Sequence, residues 1–172
     1  YGGYKTEIAG FGVDVGVIDY QYPGSGGYNH DLGMVAKANT QEAYVGLSYG
    51  IAAFKASRTV GNNYFNSTVA GKNAKGTMYY DLTLSQEILP KLTASAHAGY
   101  TDYKTSDANV KDFSYADYNV GLAYDYNSYV FGVKLYKNNL GSGTKNWIAP
   151  GAATNGKNLG NNGVAISLTR SF

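Results

Sequence analysis

The chain has 172 residues, enough for one domain, and its 18 tyrosines and 23 glycines against 3 prolines favour strands and turns over helices. With no cysteine it can form neither disulfides nor thiolate metal sites. The formal charge of +2 comes without a charge block or a Pro/Ser-rich linker that would mark a second domain, and no apolar run reaches the ~18 residues of a membrane-spanning helix.

Alternation of apolar and polar residues predicts nine strands, near 1–9, 11–22, 41–50, 52–60, 77–86, 91–103, 115–125, 129–137 and 163–172. One parity carries Phe11, Val13, Val15 and Val17, then Ala43, Val45, Leu47 and Tyr49, then Met78, Tyr80, Leu82 and Leu84. Further on it carries Leu92, Ala94, Ala96, Ala98 and Tyr100, then Tyr118, Val120, Leu122 and Tyr124, then Phe131, Val133 and Leu135. The opposite parity holds Asp14, Glu42, Ser48, Asp81, Thr83, Ser85, Ser95, His97, Asp117, Asn119 and Lys134. The last segment sets Val164, Ile166, Leu168 and Phe172 against small or polar residues, and a terminal aromatic suits the girdle at the edge of a membrane's apolar band.

Connections alternate in length. Short turns fall near Gly10, Gly50-Ile51, Gln86 to Lys91 and Asp125 to Ser128, and long polar loops run roughly over 23–40, 61–76, 104–114 and 138–162. Pro23, Pro90 and Pro150 all lie in connections, where no ladder needs their missing N–H. Short turns on one side and long loops on the other are the layout of an outer-membrane barrel, so the expected fold is an all-β antiparallel transmembrane β-barrel. Its turns would be periplasmic, its long loops extracellular, and Phe172 would act as the C-terminal assembly signal. In such a barrel only every second residue meets lipid, which leaves the mean hydropathy of −0.31 uninformative. The count of nine strands is odd, whereas bacterial single-chain barrels use an even number. At least one strand is therefore expected before Tyr1-Gly2-Gly3-Tyr4-Lys5, a start that shows no signal peptide.

The succession Tyr1-Gly2-Gly3-Tyr4, Val15-Gly16-Val17-Ile18-Asp19-Tyr20-Gln21-Tyr22-Pro23, Glu42-Ala43-Tyr44-Val45-Gly46, Tyr79-Tyr80-Asp81-Leu82, His97-Ala98-Gly99-Tyr100 and Asp117-Tyr118-Asn119-Val120-Gly121 resembles the TorF-type porin family, a conserved outer-membrane barrel domain of unknown function in Gram-negative bacteria. The resemblance implies a barrel of about twelve strands, here lacking its N-terminal ones, and no catalytic residue or cofactor.

Chemistry-bearing constellations are few. His97 with Ser95, Thr93 and Asp81 or Asp117 could be arranged as a Ser/His/Asp site, but polar wall residues of a barrel become such neighbours automatically and no sharp turn presents a serine. His30-Asp31 is a lone pair in a Gly-rich loop, and two distant histidines make no metal site. Gly24-Ser25-Gly26-Gly27 and Gly141-Ser142-Gly143 lack the Gly-Lys-Ser/Thr ending of a phosphate loop. Nor is a cofactor expected.

Charge says more. The inner parity carries Glu7, Asp14, Glu42, Asp81, Glu87, Asp117 and Asp125 against Lys5, Lys55 and Lys134. Long loops and strand tops carry Lys37, Lys72, Lys75, Lys104, Lys111, Lys137, Lys145 and Lys157 against Asp31, Asp107 and Asp112. An acidic wall below a basic rim fits a porin-like channel for small, preferably cationic solutes, with Glu42, Asp81, Asp117, Lys55, Lys134 and His97 lining the lumen. The alternatives are a non-conducting docking barrel that anchors a surface assembly and, last, a surface hydrolase. Expected partners are outer-membrane lipid and lipopolysaccharide, the barrel-assembly machinery, and a second copy or partner protein. Lysines scattered over four loops do not form a nucleic-acid surface.

Overall fold

The computed structural model describes residues 1–25, 27–29, 33–68, 70–106, 108, 114–139 and 162–170. Nine strands form one antiparallel sheet: β1 (Gly2–Ile8), β2 (Phe11–Tyr20), β5 (Thr40–Tyr49), β6 (Ala52–Thr59), β7 (Met78–Leu89), β8 (Leu92–Asp102), β9 (Tyr115–Tyr126), β10 (Tyr129–Asn138) and β11 (Gly163–Arg170). A separate two-stranded hairpin, β3 (Gly27–Asn29) and β4 (Gly33–Val35), lies within the first long loop, where no strand was expected. No α-helix occurs among the described residues; one 3₁₀ turn spans Phe65–Ser67.

Strands of this sheet pair in chain order from β1 to β11, β2 with β5 across the hairpin-bearing loop, and the sheet is not closed. Tight turns fix this register. Asn127 and Ser128 both adopt left-handed φ, 50° and 69°, as a two-residue turn of matching twist requires, and Ala9-Gly10 does the same at 51° and 81°. One irregularity interrupts β7 against β8, between Glu87 and Leu89.

Because register is continuous, each parity becomes one face. Val15, Val45, Ala56, Tyr80, Tyr100 and Ala116 form one row of cross-strand partners, and Val13, Leu47, Phe54, Leu82, Ala98 and Tyr118 form the next. This apolar face is the exposed one: Val120 is 55% accessible and Ile166 85%. The polar face is the shielded one, with Thr40, Glu42, Ser57, Thr59 and Thr101 all buried. Exposure is thus inverted relative to a water-soluble sheet, whose apolar side packs inward.

Shielding at the long-loop end comes from residues 60–68 and 70–77, which fold back over the polar face as a roof. Its base is zipped by Thr59 N to Thr77 O and Gly76 N to Thr59 O, both 2.9 Å, and by Ala74 N to Asn62 O at 2.7 Å. Its tip is pinned where Phe65 N donates to Thr40 Oγ1 at 2.6 Å and Tyr103 Oη donates to Ser67 O at 2.9 Å. Tyr64, Ala74 and Tyr103 make its small core, with Phe65 packed against them. Phe65 holds φ at +45°, a strained value for a bulky residue, which persists because the Tyr20, Tyr22 and Tyr64 rings surround it.

Candidate functional site: a charged row across the polar face

Turn-fixed register brings the wall charges into line. Lys5, Asp14, Gly46, Lys55, Asp81, Gly99, Asp117 and Asn138 are successive cross-strand partners from β1 through β10, with β3 and β4 lying outside this sheet. At a strand spacing of about 4.8 Å, Asp81 and Asp117 stand about 10 Å apart across Gly99. That gap is filled by side chains from the flanking rows. His97 enters from one side: its Nε2 lies 2.9 Å from Asp117 Oδ1 and its Nδ1 3.4 Å from Asp81 Oδ1. Tyr79 enters from the other, its hydroxyl 3.2 Å from Asp117 Oδ2 and 3.3 Å from His97 Nε2. Thr83 donates to Asp81 Oδ1 at 3.0 Å.

Glycine at 99 makes this convergence possible, since a Cβ there would collide with the Tyr79 hydroxyl and Asp117 Oδ2. The same device recurs on β2 and β5. Tyr44 leans over Gly16, where a Cβ would meet its hydroxyl at 2.7 Å, and donates to Asp14 Oδ1 at 3.1 Å. Lys55 in turn places its Nζ 5.6 Å from the centre of the Tyr44 ring. Between the two clusters a groove of about 260 Å³ opens over Gly46, lined by Lys5, Asp14, Ser48, Lys55 and Asp81 among others.

The row itself carries Asp14, Asp81 and Asp117 against Lys5 and Lys55, and the whole polar face carries seven acids against three bases. A surface of this kind can attract cations and orient them between fixed oxygens. Around His97 the hydroxyl partners are Thr83 and Tyr79, and no hydrogen bond joins it to Ser95 among the described residues.

Over its full length, residues 1–172, the chain matches the model of a bacterial protein family of unknown function, Gcw_chp. The chain belongs to the Gcw_chp family. No curated protein and no solved structure matches it.

Within this Gcw_chp chain, Asp81, Asp117, His97 and Lys55 all lie on one face and in adjoining rows. Lys134 does not join them. Asn138 stands opposite Asp117, so Lys134 lies four residues further along β10, about 13 Å away, opposite Gly121 and Ala165. Glu42 shares the face but sits beneath the roof, 7% exposed, rather than at an open mouth. Phe172 and the His30-Asp31 pair lie outside the described residues. Sequence reasoning missed Tyr44 and Tyr79. The signal for them is an inner-parity tyrosine opposite an inner-parity glycine on the neighbouring strand, as Tyr44 is to Gly16, or diagonal to one, as Tyr79 is to Gly99.

Proposed function

We propose that this Gcw_chp protein forms part of the wall of a transmembrane β-barrel in the bacterial outer membrane, a porin-like channel through which small cations pass along the charged row. One observation carries the reading: the face that water should avoid is the exposed one, continuous over nine strands from Tyr4 to Ile166. An apolar surface of that extent calls for lipid or a partner, while the polar face supplies what an aqueous lumen needs. Arg58 and Lys137 on the apolar parity at the long-loop end, and Arg170 stacked on Tyr129 at 4.9 Å at the other, suit the two membrane interfaces.

The proposal requires closure. In an antiparallel succession of nine strands β1 and β11 run the same way, so an all-antiparallel barrel needs an odd number of further strands between them. Three would give the twelve implied by the TorF-type resemblance, supplied by residues outside these 172. Single-channel recording on the full-length protein, with reversal potentials in asymmetric KCl, tests conduction and sign together. Expected is a cation preference that weakens in Asp81→Asn/Asp117→Asn. Anion preference, or no conductance, would sink it. No conductance would promote the second reading, a docking barrel, which the roof of residues 60–68 and 70–77 over the polar face favours.

A further inference from the structure

One glycine of the charged row serves neither a turn nor a neighbour's packing. Gly46 has no left-handed φ, and a Cβ built on it would stand 3.6 Å from Asp14 Cβ, an ordinary contact. Gly16 and Gly99, by contrast, make room for the Tyr44 and Tyr79 hydroxyls. What the missing side chain at 46 leaves open is the groove of about 260 Å³. At about 30 Å³ of liquid per water molecule, that is room for a solute the size of an amino acid.

The charges around the groove are ordered. From β1 to β7 the row reads Lys5, Asp14, Gly46, Lys55, Asp81, so plus and minus alternate on both sides of the gap. Asp14 faces Lys55 across it, their backbones about 10 Å apart. Among the described residues no ion pair joins any two of these four charged side chains. Tyr44, two residues from Gly46 on β5, engages both facing groups: its hydroxyl donates to Asp14 Oδ1 at 3.1 Å and its ring takes the Lys55 ammonium over its face.

A lone cation in the gap would be attracted by Asp14 and repelled by Lys55, and a lone anion the reverse. A solute carrying both signs a few bonds apart continues the alternation without a break, and both of its contacts become charge-assisted hydrogen bonds. We propose that this groove is a binding subsite for small zwitterions of the α-amino-acid class, the ammonium on Asp14 and the carboxylate on Lys55. Gly46 sets the size limit, because a side chain there would occupy the place of the solute. The inference rests on the barrel reading, which opens the polar face to water, and not on conduction.

The test is saturation-transfer NMR on the full-length protein in detergent micelles, with L-alanine as the probe. Ethylammonium and propionate, which are alanine without its carboxylate and without its ammonium, are the matched controls. L-alanine should bind saturably and each control roughly tenfold more weakly, as the loss of one charge-assisted contact entails. Gly46→Leu should abolish binding. Lys55→Gln, which keeps much of the bulk over Tyr44 and removes the charge, should weaken it by roughly tenfold, and it decides the matter should Gly46→Leu fail to fold. No saturable transfer to L-alanine, equal binding of either control, or full binding in Lys55→Gln would overturn the proposal. Alanine binding by a protein that passes no current would remove the channel and keep the subsite, whereas current without alanine binding does the opposite.

Discussion

Replacing Leu82 by arginine separates a lipid-facing sheet from a water-facing one. Leu82 lies on β7 between Phe54 and Ala98, four residues from Met78 at the long-loop end of the strand. That is about 13 Å along the strand, or about 10 Å of depth once barrel strands tilt by roughly 40°, close to the middle of an apolar band about 25 Å tall. Arginine at the midplane costs about 2–4 kcal/mol, falling to about 0–1 near an interface. Were the same face in water, Leu82, already 43% exposed, would lose little, and surface substitutions of that kind stay within about 0.5 kcal/mol. The decisive quantity is therefore the depth profile along one strand. Met78→Arg beside Arg58 should be nearly free, Leu82→Arg should be costly, and Ser85→Arg on the polar face should again be mild. Reversible unfolding of the full-length protein in phospholipid vesicles reads all three. A flat profile, or a Ser85→Arg penalty as large as that of Leu82→Arg, would refute the assignment of lipid to this face.

Gly99→Ala should cost about 1–3 kcal/mol by driving Tyr79 out of its place beside Asp117, and most of that cost should disappear in a Tyr79→Ala background, as a double-mutant cycle would measure. Ser128→Gly should stabilise by about 1 kcal/mol, because Ser128 adopts φ 69° in its two-residue turn and only glycine does so without strain; a loss of stability would contradict that turn. The roof should weaken in alkali. Burial pushes the Tyr64 phenol well above its ordinary value of 10.0, so the unfolded segment ionises first; the stabilisation is complete below about pH 10 and is lost as pH climbs beyond it. The urea midpoint should fall over that window in the native protein and not in Tyr64→Phe.

The nine strands of the main sheet were legible because a period of two survives wherever one face must be apolar and the other polar. Even the assignment of ten charged residues to one face followed from parity alone. The charged row was not legible as a row, since it depends on how many residues each turn consumes: a one-residue change at Asn127-Ser128 would slide Asn138 away from Asp117. Parity therefore put Lys134 on the right wall without its distance from the acids. The roof left no periodic trace. Tyr64, Phe65 and Ala74 read as scattered residues of one polar loop and Tyr103 as the end of a strand, and their meeting is a tertiary event that buried Glu42 where an open wall was expected. The β3–β4 hairpin is too short, three residues a side, for alternation to reveal it.

The strictly sequential pairing order also bears on how such a sheet is made. Four of its pairs, β1–β2, β5–β6, β7–β8 and β9–β10, are joined by two-residue turns and close at small entropic cost, so the sheet can grow from hairpins that then join across the longer connections. The longest of these steps is β10 to β11, which must wait for the connection beyond Asn138 to be traversed. Until a seam forms between the two outer strands, their unpaired N–H and C=O groups face outward as templates for any passing strand. A chain of this design is most vulnerable to mispairing at its last step rather than its first.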